Sequence, residues 1–292
     1  MKFDAVKALR AKLRSNTPVS GLWVTLEAPS ITEVAVALGC DYVVVDAEHG
    51  ALDWGEVLQH VRATVRSGTC AFVRLCENGN VDVNNSAQLI KRALDIGADG
   101  VLIPCVDTAQ QVQSLLSQAR YPFYEPAGAP RGIRGIGGER ATVFGAAFVD
   151  HVEQCAAEPP FVVPLLETHT AFLNRHEIAK VEGLDFCQLG PADHSASKGF
   201  AGEWEGGDVG KETVLICDAL SKQGVRCGVM CRDNDDIIER AKQGFRVLTI
   251  GFDVSLLMRT VKEALAVADN SGGCAAGGGQ QREPTTAFAP KL

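Results

Sequence analysis

The residues Asp46-Ala47-Glu48-His49-Gly50 set two carboxylates and an imidazole directly after the apolar run Tyr42-Val43-Val44-Val45. A run that is apolar on both faces reads as a strand of a parallel sheet, and such sheets carry their chemistry at strand carboxyl ends. An Asp three residues before a His can hold the ring in one tautomer and tune it for proton transfer. The same residues fit a solvated acidic turn equally well. Further charged groups stand in comparable places: Arg74 in the run 70–76, Glu167 at the end of 161–167, and Asp193 just after 185–190. Brought to one mouth, Glu167 and Asp193 form an oxygen-rich pair that suits a hard divalent ion such as Mg²⁺ or Mn²⁺. Arg74 offers a planar fork for a carboxylate. An ion beside it would polarise the carbonyl of a 2-oxo acid and favour its enolate. Each residue alone has a plainer reading: Glu167 as a solvated or paired carboxylate, Arg74 as a partner of Asp46 or Glu48. His169 and His194 read as loop residues near the two proposed ligands. No lysine ends any of the apolar runs, which argues against a Schiff-base aldolase.

Eight short apolar runs position these groups, at 19–26, 42–48, 70–76, 100–105, 161–167, 185–190, 226–231 and 246–251. Helical patterns lie between them, at 30–39, 53–67, 84–96, 108–119, 171–181, 211–223 and 235–243. Ser30 and Gly39 read as the caps of the first of these. Strands alternating with helices indicate a parallel α/β architecture, and eight is the number that closes a (β/α)₈ TIM barrel. About fifty residues between the fourth and fifth runs hold YPFYEPAGAPRGIRGIGGER and read as a long surface loop. The reading is one barrel domain over 1–269 and a disordered Gly-rich tail over 270–292.

The chain has 292 residues, with 28 basic against 36 acidic side chains and a net charge of −8. It has no Lys/Arg run or basic stripe, so neither nucleic acid nor an anionic membrane is expected as a partner. Its ten cysteines form no Cys-x-x-Cys pair. Most lie in apolar runs, which points to buried thiols in a reducing, cytoplasmic setting. The amphipathic start MKFDAVKALRAKLRS has no apolar core of a signal peptide.

The segments GLWVTL (21–26), DAEHG (46–50), FVRL (72–75), IKRALDIGADGVLIP (90–104), ET (167–168), VEGLDFCQLGPADHS (181–195) and GIRG (132–135) together resemble the HpcH/HpaI aldolases. These are metal-dependent pyruvate aldolases of the phosphoenolpyruvate/pyruvate barrel superfamily, a group that includes macrophomate synthase. The resemblance covers about residues 19 to 260. It implies Glu167 and Asp193 as ligands of Mg²⁺, or of Mn²⁺ or Co²⁺. It implies Arg74 as the group that binds the pyruvate carboxylate and steadies the enolate, and His49, oriented by Asp46, as general base or acid. Trp23 would wall the pocket. Gly190 and Pro191 would shape it, and the amides of Ala192 and Asp193 would hold the carboxylate. Asp95 would help build the site of a neighbouring subunit. The assembly it implies is a hexamer, a trimer of dimers, with residues 253–267 in an exchanged C-terminal helix.

The chain departs from that pattern in three places. Leu165 stands where the family usually has a Gln, two residues before the metal-binding Glu. The segment CENGNVDVNNSAQ is longer than usual, and FYEPAGAPR separates YP from GIRG. Three functions remain open at this level. The first is a lyase that reversibly cleaves a 4-hydroxy-2-oxo acid to pyruvate and an aldehyde through a metal-bound enolate. The second is an oxaloacetate decarboxylase or macrophomate synthase-like carbon–carbon bond-forming enzyme using the same enolate. The third is a barrel that binds a keto acid without turning it over.

Overall fold

The computed structural model describes residues 1–76, 83–122, 131–200 and 202–271. Eight parallel strands close into a barrel in chain order: β1 (Val19–Val24), β2 (Tyr42–Asp46), β3 (Cys70–Arg74), β4 (Gly100–Ile103), β5 (Phe161–Leu166), β6 (Phe186–Leu189), β7 (Arg226–Met230) and β8 (Val247–Phe252). The TIM-barrel expectation therefore holds. Strands β1–β7 end one or two residues before their apolar runs do, because the last residues of those runs leave the ladder and turn toward the mouth, while β8 runs one residue past its run.

Side chains alternate along the strands, so each strand feeds two apolar layers. The inner layer contains Trp23, Tyr42, Val44, Phe72, Phe161, Leu165, Phe186 and Met230. The outer layer, beneath the helices, contains Val43, Val45, Val73, Val101, Cys187 and Val229. This is why the runs read as apolar on both faces. Tyr42, Phe72, Phe161 and Phe186 fill the barrel interior, with successive ring centroids 5.5–6.0 Å apart. Gly21 makes room for Tyr42: a Cβ there would lie 2.3 Å from the ring.

Helix α1 (Phe3–Arg14) closes the amino end of the barrel with Ala5, Val6, Leu9 and Leu13. The helices α2 (Pro29–Ala37), α3 (Trp54–Ala63), α4 (Val83–Asp95), α5 (Ala109–Ala119), α7 (His169–Ile178), α9 (Val209–Lys222) and α10 (Asn234–Lys242) follow the expected pattern. Local chemistry sets several starts. Asp53 with Glu56 and Thr108 with Gln111 form capping boxes at α3 and α5. The first connecting helix begins one residue before Ser30, at Pro29, whose fixed φ suits the first helical turn.

Two helices carry no strong sequence signal. α6 (Phe148–Ala157), after a short 3₁₀ turn at Arg140–Thr142, interrupts the long β4–β5 connection that reads as a loop. Its N-cap, Ala147, makes no side-chain hydrogen bond; burial of His151 and Cys155 holds it instead. α8 (Pro191–Ser197) is seven residues long and contains His194, expected in a loop. α11 (Asp253–Ser271) runs two residues past the expected end of the barrel domain. The rest of the expected tail, the segment FYEPAGAP and residues 77–82 of CENGNVDVNNSAQ lie outside the described residues. Among the described residues no helix is long and apolar enough to cross a membrane.

Candidate active site

The strand ends of the mouth line a cavity of about 480 Å³. Trp23, Asp46, His49, Arg74, Glu167, Gly190, Pro191, Ala192 and Asp193 all contribute to it. Nine of the ten residues singled out from the sequence are thus brought together. Asp95 is not: it ends α4, which returns to the opposite end of the barrel, and accepts a 2.7 Å hydrogen bond from Arg134.

Register places Asp46 beside Arg74 on adjacent strands. Arg74 Nε donates to Asp46 Oδ1 at 2.9 Å, Nη2 donates to Oδ2, and Trp23 Nε1 donates to the same Oδ2 at 3.0 Å. Burial alone would raise the Asp46 carboxyl, but the hydrogen bonds and charge of Arg74 outweigh it and hold the group below the usual carboxylate range. The guanidinium also lies over the Trp23 ring, 4.7 Å from its centre. The fork expected to grip a substrate carboxylate therefore grips Asp46. Only Nη1 turns elsewhere, to Glu48 Oε2 at 3.0 Å.

Asp46 does not orient the His49 ring. Its Oδ1 accepts the backbone amides of Glu48 and His49, at 3.0 and 3.1 Å, in a tight turn that leaves the ring outside. The ring is 67% exposed, and the nearest carboxylate oxygen, Glu48 Oε2, is 3.9 Å away. Glu48, read from the sequence as a strand-end carboxylate and a possible partner of Arg74, stands between Arg74 and His49. Burial raises its pKa, while Arg74 and His49 oppose the rise.

Glu167 is 3% exposed. Burial, reinforced by the charges of Asp193 and Glu48, raises its pKa to about 7, against the pull of a backbone hydrogen bond. That bond comes from the Cys105 amide at 2.7 Å, on a residue whose φ of 53° lies in the left-handed region. No cation pairs with Glu167 among the described residues. Gly190 admits its side chain: a Cβ there would lie 2.4 Å from Oε2. Asp193 sits in the first turn of α8, where the amides of Ala192 and Asp193 have no partner within the helix. A buried carboxylate with raised pKa beside a second carboxylate is a donor set short of positive charge, and a hard divalent cation fits it.

The residues just after these two carboxylates form a different cluster. His194 Nε2 lies 2.7 Å and His169 Nδ1 3.3 Å from Glu212 Oε2, and Lys198 Nζ bonds the other oxygen of Glu212. Among the described residues this is the one group of three with ligand atoms within 4.8 Å of one another. The ammonium already neutralises Glu212, so the cluster reads as a charged brace tying α7, α8 and α9 behind the mouth.

Leu165, Trp204, Met230 and Phe252 give the cavity an apolar and aromatic side, and Thr25, Gln188, Arg232 and Ser255 add polar groups. Two donors on this wall, Gln188 Nε2 and Trp204 Nε1, are buried without a protein acceptor. Neither was singled out from the sequence. A lone Gln in an otherwise apolar strand is the one signal that could have found Gln188.

A closed parallel barrel with paired carboxylates and an arginine at its carboxyl-end mouth has charged groups where such barrels carry catalysis. Residues 19–260 match the HpcH/HpaI aldolase/citrate lyase family, and the chain belongs to that family. A hydroxypyruvate/pyruvate aldolase of Delftia acidovorans is 32% identical over 250 residues, covering 85% of this chain and 87% of the relative. A 4-hydroxy-2-oxovalerate aldolase of Novosphingobium aromaticivorans is 30% identical, covering 85% and 89%. The crystal structure of a family protein from Burkholderia cenocepacia superimposes with a TM-score of 0.81 at 29% identity, covering 90% of this chain and 99% of that one.

Proposed function

We propose that the protein is a divalent-metal-dependent lyase that reversibly cleaves a 4-hydroxy-2-oxo acid to pyruvate and an aldehyde. The observation that carries this reading is Glu167: buried, raised in pKa and without a cation, beside Asp193 in the cavity that holds Arg74. Glu167 and Asp193 would hold Mg²⁺, with Mn²⁺ or Co²⁺ as substitutes. When bound, the ion would polarise the 2-keto group and stabilise negative charge on its oxygen. The aldolases named above support the substrate class.

The chain's own residues supply the remaining steps. The amides of Ala192 and Asp193 bind the substrate carboxylate, and Arg74 Nη1, with one N–H on Glu48, donates its other N–H to the keto oxygen of the substrate. Asp46 and Trp23 keep the guanidinium flat and in place, so little ordering is left to the moment of reaction. His49 takes the proton from the C4 hydroxyl as the C3–C4 bond breaks, which releases the aldehyde and leaves the pyruvate enolate. Protonation at C3 completes pyruvate. In the condensation direction His49 returns its proton to the new alkoxide. Oxaloacetate decarboxylation through the same enolate is the second reading. It is favoured by the exposed, unanchored His49 ring, which that reaction does not need.

The assembly proposed is a homo-hexamer. Leu257, Met258 and Leu265 of α11 are 58–63% exposed, an apolar face suited to a second copy of the chain. Asp95 would reach a neighbouring mouth only in such an assembly. Light scattering on the full chain tests this, and a monomer would refute it. A cytoplasmic setting is consistent with nine described cysteines that are all unpaired.

The decisive assay is pyruvate release from a simple 4-hydroxy-2-oxo acid and from oxaloacetate, with Mg²⁺ or Mn²⁺ and then with chelator. Release from the hydroxy acid that chelator abolishes supports the lyase. Release from oxaloacetate alone favours the decarboxylase. No release from either, with pyruvate and metal still bound, would leave a keto-acid-binding barrel.

A further inference from the structure

Gln188 lies in β6 with its side chain inward, since its neighbours Cys187 and Leu189 belong to the outer layer and Phe186 to the inner one. Its register partners are Leu165 on one side and Gly228 on the other. Gly228 has no side chain to displace it: a Cβ there would lie 2.3 Å from Gln188 Oε1. The residue is 3% exposed and lines the cavity, yet its Nε2 meets no protein acceptor. A buried amide donor left unpaired carries its full desolvation cost. A neighbouring apolar wall of Leu165, Trp204 and Met230 gives that donor nothing to bond. Gln188 also sits two residues below Gly190, the residue packed against Glu167, so its Cα is about 7 Å deeper in the barrel.

We propose that the Gln188 side-chain amide is a substrate-binding donor on the floor of the cavity, where Nε2 donates to an oxygen of the bound 2-oxo acid. The inference rests on the proposed function and names a recognition element of that same site. In this chain the amide is carried by β6, beside an apolar residue on β5. An acid with no oxygen directed at the floor would leave the amide unpaired and bind correspondingly less well.

The test uses the full-length protein with Mg²⁺ and pyruvate. It reads pyruvate binding by calorimetry and exchange of the pyruvate methyl protons with deuterated water by NMR. Gln188→Leu and Gln188→Met should each raise the Kd and the KM for pyruvate about tenfold, the loss of one hydrogen bond to a charged ligand, with kcat changed less than about twofold. Gln188→Glu should weaken binding further, because it sets a carboxylate near those of Glu167 and Asp193. The double variant Leu165→Gln/Gln188→Leu moves the amide to the register partner and should recover most of the affinity. Thermal unfolding of each variant separates a folding defect from lost recognition. Folded Leu and Met variants that bind pyruvate as the wild type does would overturn this inference and leave the lyase reading intact. A wild-type protein that neither binds pyruvate nor exchanges its protons with Mg²⁺ present would overturn both.

Discussion

The two ends of the barrel each bury an arginine, and they use it differently. At the amino end, Arg10 donates to Asp185 through Nε at 2.9 Å and Nη2 at 3.0 Å. It donates to Pro159 O at 2.8 Å, pairs with Glu158 and lies over the Phe161 ring. Beside it, Asp99 is shared by the Lys2 backbone amide at 2.6 Å, the Lys2 ammonium at 3.0 Å and the Ala71 amide at 2.9 Å. Arg10 and Asp99 are thus both closed by the chain itself. At the carboxyl end, Arg74 faces four carboxylates, Asp46, Glu48, Glu167 and Asp193, and satisfies the first two. The second arginine at this mouth, Arg232, is paired with Asp236 and Glu205. Buried charge that the fold completes marks a structural end. Buried charge that the fold leaves incomplete marks the end built for a ligand.

The largest effect should come from dismantling the proposed metal site at the mouth. Glu167→Gln, or chelation of the wild type, should lower kcat/KM for pyruvate release by about 10⁴-fold, the several kcal/mol expected of Lewis-acid stabilisation. Titration with Mn²⁺ should show weakened binding in the variant, whose fold should be kept. If Glu167→Gln bound Mn²⁺ as tightly as the wild type, the mouth would not be a metal site. At the other end, Arg10→Met should lower stability by about 3 kcal/mol, because it strands Asp185 and Glu158 beneath α1. Denaturant unfolding measures that loss, and kcat of the folded fraction should not change. A fall in kcat would blur the division between the two ends.

His49→Ala should reduce aldol cleavage by about 10²-fold while sparing most oxaloacetate decarboxylation. Equal losses in both reactions would show that the ring does more than move the C4 hydroxyl proton. The smallest effect belongs to the closed end. His151 packs between Phe3 and Tyr121, and burial lowers its pKa from 6.5 to about 4. The unfolded chain then binds this proton more readily than the folded one. The stabilisation is full above pH 6.5 and is lost as pH falls from there toward 4, by roughly 2 kcal/mol. His151→Phe should flatten that part of the stability profile, and an unchanged profile would remove His151 as its cause.

Much of this contrast was legible in the chain. Eight apolar runs with helical patterns between them specified the barrel, because a strand buried on both faces leaves no other reading of Tyr42–Val45 or Cys70–Val73. The strand-end positions then placed Asp46, Arg74, Glu167 and Asp193 at one mouth. α6 and α8 were not legible, since neither has a side-chain cap and both are held by what they pack against. The pairing within the mouth was legible only as the plainer alternative, Arg74 as a partner of Asp46 or Glu48, and the structure shows both. Spacing suggested that Asp46 serves His49, three residues on, whereas register sets Asp46 against Arg74, 28 residues away.

The sequence by itself determined which residues stand at strand ends and on which face, because a period of two and a closed parallel barrel leave little freedom. Only the tertiary structure decided which of those charges meet and which are left over. Hydrogen bonds and ion pairs act over a few ångströms, and neighbouring strands bring together residues that sequence distance cannot rank. That is why Arg74 is occupied by Asp46, Glu167 is left with a carboxylate neighbour and no cation, and Gln188 faces the cavity with its amide unpaired.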